Sequence, residues 1–233
     1  LQKNGNDLGA LLGAARLSIA ENQLDEAQKL LEHSRNIVGT NVDVARLLVD
    51  LYTRKQQWQQ ALEICDQLTL NSNSAPVGYY LKGMVQLKKK DTNEGIESLK
   101  KALEKEPRAI EPLQMLISAY VATKQTEAAT TYLEAHVKAH PEQVHAQELL
   151  GALYRQTGKL AQAQQVLEAL VKAQPERIAA YRELIAVYAA QKQPAQIDAL
   201  LAQGLQKNPE NLDLLVLQAQ YFHAAANPQL VDG

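Results

Sequence analysis

The sequence predicts an all-α protein built from consecutive helix pairs, and three observations support this fold class. The 233-residue chain is rich in Ala, Leu and Gln, with few runs of β-branched residues, a composition that favours helices. Four prolines recur at intervals of 34 residues, at Pro107, Pro141, Pro175 and Pro209, and a helical pattern follows each one. Between two of them, apolar residues recur at helical spacing on either side of Gly158, as in a pair of amphipathic helices.

The 34-residue period runs through most of the chain without an insertion. Small residues recur where two antiparallel helices would approach, and leucine recurs where it would fill the seam between them. Gly158 is predicted to end its helix, because glycine adopts φ > 0 without a steric penalty. We predict a flank, six repeats, and then the first helix of a seventh unit with a C-terminal tail. These segments are 1–7 (flank), 8–41, 42–75, 76–109, 110–143, 144–177 and 178–211 (repeats), and 212–233 (seventh helix and tail).

Charge and cysteine content exclude several classes of function. With 24 basic and 26 acidic residues the formal net charge is -2, which gives no electrostatic case for binding nucleic acid or an anionic membrane. No apolar stretch approaches the length of a membrane span, so we predict no membrane insertion by this segment. The single cysteine, Cys65, excludes an internal disulfide and cannot hold a metal by itself.

The repeated residues resemble the tetratricopeptide repeat. The segment GMVQLKKKDTNEGIESLKKALEKEP, from Gly83 to Pro107, is similar to that pattern, and the resemblance covers residues 8–211. It implies a right-handed α-solenoid of antiparallel helix pairs, a tetratricopeptide superhelix with a concave groove. It also implies a non-catalytic protein–protein interaction scaffold, without a cofactor, that binds a peptide or helix of a partner protein in the groove.

The resemblance also implies which side chains line the groove. Tyr80, Met84 and Leu87 are predicted to form a hydrophobic anchor site, because packing of the seam does not require them. The arginines have two interpretations: they hold carboxylates of an extended peptide, or they pair inside the array with Asp50, Glu148 and Glu183. The predicted groove residues are Arg46, Asp50, Arg54, Tyr80, Met84, Leu87, Lys88, Gln114, Arg155 and Arg182.

Three histidines form the only candidate metal site. His136 and His140 are four residues apart and share a helix face, and His145 opens the next helix. No HExxH arrangement accompanies them. We favour packing for His136 and complementation of a helix C-terminus for His140, and we predict no metal.

Nothing in the sequence indicates catalysis. Cys65 occupies an inward seam position, where it is predicted to be a packing residue rather than a reactive thiol. Gly9 and Gly13 lack the Lys-Ser/Thr of a phosphate-binding loop. Lys88, Lys89 and Lys90 make the third repeat locally basic. We predict a solvated face there, with docking of an acidic peptide or a phosphate as the alternative.

The two ends of the sequence predict a segment of a longer bacterial repeat protein. The chain begins with Leu1 rather than Met, so a signal or anchor could precede it. The helix after Asn211 is apolar around much of its circumference and would need a covering partner. The alternative is that this uncapped helix drives self-association and end-to-end stacking. The chain is also similar in texture to envelope and exopolysaccharide-export lipoproteins of bacteria, which favours an envelope or periplasmic location over the cytoplasm.

Overall fold

The computed structural model describes residues 7–39 and 41–226. This part of the chain contains thirteen α-helices and no strand, so the all-α fold class is confirmed. The residues predicted as flank up to 6 and as tail from 227 lie outside it. The helices are α1 Leu8–Ala20, α2 Leu24–Val38, α3 Val42–Arg54, α4 Trp58–Thr69, α5 Ala75–Lys89, α6 Thr92–Lys105, α7 Ile110–Ala122, α8 Thr126–Ala139, α9 Val144–Gln156, α10 Leu160–Ala173, α11 Ile178–Ala190, α12 Pro194–Lys207 and α13 Leu212–Ala226.

Side-chain caps start several of the odd-numbered helices. The Oδ1 atom of Asp7 accepts a hydrogen bond from the Ala10 amide at 3.2 Å. Asn41 caps α3 through its Oδ1 atom, 2.9 Å from the Asp43 amide, and Asn211 caps α13 in the same way. These carboxylate and amide oxygens satisfy backbone N–H groups that have no partner inside the helix.

The turn inside each helix pair has one repeated geometry. Its central residue has a left-handed backbone, with φ between 57° at Gln56 and 75° at Gly158. The next residue donates its amide to a carbonyl five residues back, as from Lys159 to Tyr154 at 2.8 Å, which closes the preceding helix. Gly158 thus ends α9 as predicted. At the other equivalent positions the residue is not glycine: they are Asn22, Gln56, Lys90, Lys124 and Lys192.

The core lies in the seams between paired helices. Ala27, Ala129 and Ala163 are fully buried, and so are the leucines that follow them by four residues. Where the facing helix carries glycine the approach is closest: a Cβ atom on Gly151 would lie 2.6 Å from Cγ of Leu167. The predicted small and leucine positions therefore form the seam.

The chain forms two compact units, Leu1–Gln125 and Thr126–Gly233. In the first, α3 contacts α5 and α5 contacts α7; in the second, α9 contacts α11 and α11 contacts α13. Within the described residues, no comparable contact joins two even-numbered helices. The odd-numbered helices of each unit thus form an inner layer. No helix in the described ranges is both long and apolar enough to cross a membrane.

Candidate functional site

Tyr80 and Met84 lie on α5 in the inner layer of the first unit. Both side chains are half-buried, and both pack against the apolar core of that unit. Burial raises the pKa of Tyr80, the neighbouring carboxylate of Glu111 raises it further, and Arg46 opposes the change. The charges of Arg46 on α3 and of Glu111 on α7 therefore both act on the Tyr80 hydroxyl. Gln114 is exposed on α7.

Leu87 has a packing role that the sequence did not predict. A Cβ atom added to the buried Gly95 would lie 2.8 Å from Cγ of Leu87. The isobutyl group thus fills the space that the missing side chain leaves in the seam between α5 and α6. The expectation that seam packing does not require Leu87 is wrong, because glycine at this position needs a large partner across the seam.

A basic cluster lies where α3 and α5 end. The guanidinium of Arg54 pairs with Asp50 at 3.0 Å, one turn back on the same helix. Lys88 is exposed, and together with Arg54 it lines an open cavity of about 500 Å³. The structure brings these two predicted residues together at the edge of the first unit.

In the second unit, a polar network joins α9 to α11 within the inner layer. Glu148 is only 7% exposed, and its two carboxylate oxygens accept hydrogen bonds from Arg177 at 2.6 and 2.8 Å. This bidentate pair raises the pKa of Arg177. His145 Nδ1 lies 3.4 Å from the same carboxylate, and Arg155 pairs with Glu183 at 3.2 Å.

Arg182 borders a cavity of about 420 Å³ on the inner layer of the second unit. Its apolar lining includes Leu149, Ala152 and Ile178, and its polar lining includes Asp213. Two of the four predicted groove arginines pair with acidic residues inside the array, and the binding of peptide carboxylates stays a prediction. Arg54 and Arg155 form ion pairs within the chain, whereas Arg46 and Arg182 form none with the residues that the structure describes.

His136 and His145 have polar partners outside the histidine group, whereas the ring of His140 contacts that of His136. His136 Nε2 lies 2.6 Å from the amide oxygen of Gln143, and its ring centroid is 5.1 Å from that of His140. Burial lowers the pKa of His136. No group of three His, Cys, Asp or Glu side chains arranged for a metal is present in the described part of the chain.

Cys65 is fully buried in the seam. Burial raises the pKa of its thiol to about 12, so the thiolate that nucleophilic chemistry requires does not form near neutral pH.

Tyrosine–carboxylate hydrogen bonds, which were not predicted from the sequence, form a ladder between successive helix pairs. Tyr154 donates to Glu134 at 2.7 Å and Tyr188 to Glu168 at 2.6 Å; Tyr52 makes the same bond to Glu32. The signal was an acidic residue placed twenty residues before a tyrosine of the repeat. Where that residue is Lys100, its ammonium lies 5.9 Å from the centroid of the Tyr120 ring instead.

Two family models match the sequence, both described as the tetratricopeptide repeat, one over residues 86–153 and one over residues 144–177. The helix pairs described above follow the same pattern. The chain contains tetratricopeptide repeats. Its fold is accordingly that of a helical repeat solenoid, and as a class it is a protein–protein interaction scaffold with protein partners.

Solved structures with this fold include pilF of Pseudomonas aeruginosa, which is 14% identical with a TM-score of 0.53 over 93% of this chain and 100% of that one. A MamA structure is 19% identical, with a TM-score of 0.51 over 74% of this chain and 94% of that one. A chain of the Naa15/Naa10 complex bound to HypK-THB has a TM-score of 0.50 at 15% identity, over 94% of this chain and 34% of that one. At these identities the likeness concerns the fold alone. A search of curated protein sequences finds no match.

Proposed function

We propose that the inner layer of the first unit binds a segment of a partner protein, as an extended peptide or as a helix, around Tyr80 and Met84. The observation that carries this proposal is the pairing of two half-buried apolar side chains with a nearby cation, Arg46, that has no ion pair among the described residues. One part of the Tyr80 side chain already packs against the core. The ring therefore loses little conformational entropy when a ligand covers its exposed part.

The two opposite charges near Tyr80 would set the direction of a bound segment. Arg46 lies on α3 and Glu111 on α7, the two inner-layer helices that contact α5. A partner segment with an apolar residue over Tyr80 would place acidic groups toward α3 and basic groups toward α7. Opposite charges of this kind select the direction of a bound chain more than they add affinity.

The cavity beside Arg182 supports an analogous proposal for the second unit. Its apolar walls would receive a small aliphatic side chain, and Arg182 would hold a carboxylate. The carboxylates of Glu148 and Glu183 already have basic partners, so Arg182 is available to a ligand without breaking either pair.

Peptides selected from a random library on the intact protein test the first-unit proposal. Tyr80→Ala is expected to weaken binding of a selected peptide by about thirtyfold or more, the loss of a buried aromatic anchor. Tyr79→Ala is the matched control: its ring lies 5.9 Å from the Lys101 ammonium on α6, and its removal should leave affinity unchanged. Equal affinities of the wild type and Tyr80→Ala by calorimetry would refute the anchor.

A second candidate function is self-association through α13. Leu212 is 75% exposed, Val216 50% and Phe222 49%, so this helix presents an apolar surface to solvent. Light scattering after size-exclusion chromatography tests it. Self-association predicts oligomers that Val216→Asp disperses, while Leu70→Asp, at an isolated exposed leucine, leaves them intact. A strict monomer at high concentration rejects this function. That the chain is a segment of a longer repeat protein stays a prediction.

A further inference from the structure

A basic pocket lies at the edge of the first unit, where α3 and α5 end. It is the open cavity of about 500 Å³, and it is lined by Arg54, Lys88, Lys89 and Lys90 together with Trp58 and Thr53. We propose that this pocket binds an anionic segment of a protein that carries about two negative charges, either on one phosphorylated side chain or on two adjacent carboxylates.

The charge balance of the pocket indicates the charge of the ligand. Asp50 neutralises Arg54, and Asp91 neutralises Lys89 through a contact of 2.6 Å. Lys88 and Lys90 are exposed and form no ion pair with the described residues. Two positive charges thus remain, which matches the charge of about −1.5 to −2 that a phosphate monoester carries at neutral pH. Two neighbouring carboxylates supply the same charge.

Thr53 adds a second, independent indication of a ligand. It is 6% exposed, and its hydroxyl oxygen has no hydrogen-bond partner in the structure. Thr123 and Thr157, at the ends of other helices, donate to the carbonyl four residues back at 2.9 and 2.8 Å. A buried hydroxyl without a partner is unfavourable, and an anionic oxygen in the pocket would accept its hydrogen bond.

Stabilisation of helix C-termini by positive charge does not account for the four cations of this pocket. A basic residue in the last turn of a helix stabilises its C-terminus, yet α1, α7 and α11 end without one and α9 has a single arginine. The last turn of α5 has two lysines, and Lys90 follows them with a left-handed backbone. The cavity is also much larger than a phosphate group, which leaves room for the peptide that carries it.

Trp58 makes the proposal measurable, because it is the single tryptophan of the chain. The intact protein is titrated with three capped pentapeptides that differ only at their centre: phosphoserine, two adjacent glutamates, or serine. We expect saturable changes in fluorescence, and heat in calorimetry, with one or both charged peptides and none with the serine peptide. The tighter of the two charged peptides identifies the source of the charge. No binding of either by both methods would falsify the proposal.

Variants locate the site. The double variant Lys88→Ala, Lys90→Gly is expected to weaken binding by roughly fivefold for each lost charge. Lys90 has a left-handed backbone, which glycine adopts without steric strain. The Lys90→Gly change should therefore preserve folding. Lys124→Gly makes the same replacement at the equivalent turn outside the pocket and should leave affinity unchanged. Unaltered affinity in the double variant, or saturation of the site by inorganic phosphate as tightly as by the phosphopeptide, overturns the proposal.

This site stands independently of the surface around Tyr80. Tyr80→Ala should weaken binding of library-selected peptides by about thirtyfold or more and leave the response of Trp58 to the charged pentapeptides intact. The two proposals can therefore fail separately.

Discussion

At the scale of single residues, the left-handed turn positions show how the fold tolerates unfavourable side chains. Six helix pairs use the same turn, but only Gly158 is glycine, and only Asn22 among the others is a residue type that adopts this backbone readily. Each lysine there has a Cβ atom close to the following carbonyl oxygen, at a cost of about 1 kcal/mol or more. The closing hydrogen bonds and the packed helices on both sides hold the turn in place despite this cost.

Replacing one of these lysines by glycine should therefore stabilise the protein. For Lys192→Gly, which has φ of 59°, we expect a gain of about 0.5–1 kcal/mol, since relief of the backbone exceeds the added chain entropy of glycine. The free energy of unfolding in urea measures it. Gly158→Ala is the reverse change, at φ of 75°, and should destabilise by a similar amount. A loss of stability in Lys192→Gly would contradict this explanation of the turn.

His136 makes stability depend on pH. Burial holds its pKa below the ordinary value of 6.5, and the nearby His140 lowers it further, while Gln143 and Glu142 oppose the change. The unfolded chain thus binds a proton at a higher pH than the folded chain. Stability is complete above pH 6.5 and declines as the pH falls through 6.5 toward the folded pKa. In His136→Gln the free energy of unfolding should vary less between pH 7.5 and 5; an unchanged slope would exclude His136 as its source.

At the scale of elements, the Tyr–Glu hydrogen bond links one helix pair to the next at three junctions. Tyr154 on α9 reaches back to Glu134 on α8, and Tyr188 on α11 reaches back to Glu168 on α10. In the seventh unit the equivalent positions are Phe222 and Ala202, so the donor and the acceptor are both missing. This last junction therefore cannot form the bond, just as the junction with Lys100 in place of the acid cannot.

Removing one rung should weaken the second unit. Tyr154→Phe removes a donor from a largely buried ring, and the expected loss is about 1 kcal/mol because Glu134 remains solvated. A double-mutant cycle with Glu134→Ala isolates the pair, and the two single changes should not add. Additive effects would show that the hydrogen bond contributes nothing.

The same rung predicts alkaline sensitivity. Burial and the bond to Glu134 raise the pKa of Tyr154 to about 12. The folded state thus retains the phenolic proton after the unfolded chain has lost it. Stability from this group is complete below pH 10 and is lost as the pH rises from 10 to about 12, and Tyr154→Phe should reduce that loss.

At the scale of the whole molecule, contacts run between neighbouring helices along each unit. In such an array a local change in stability is transmitted mainly to adjacent repeats. The seam around Gly151 offers a test, because an added methyl group would overlap Leu167, whose side chain is fully buried.

Gly151→Ala should destabilise the protein by about 1 kcal/mol, since overpacking outweighs the better helix propensity of alanine. Gly13→Ala, where nothing lies within 4 Å of the new Cβ atom, should instead stabilise α1 by a similar amount. By hydrogen exchange, we expect faster exchange in α9–α11 for Gly151→Ala and unchanged exchange in α1–α4. Faster exchange throughout both units would show a single cooperative fold instead.

The sequence by itself determined the helices, the turns and the seam, because each depends on a local pattern. Periodicity placed the apolar faces, and Gly158 marked a turn that needs φ > 0. Tertiary structure decided what the exposed and half-exposed side chains do. Leu87 fills the space above Gly95, Arg177 rather than Arg182 binds Glu148, and Thr53 lacks a partner inside a basic pocket. These outcomes depend on distances between residues from different helices, and a repeat pattern specifies position along a helix but not the side chain across from it.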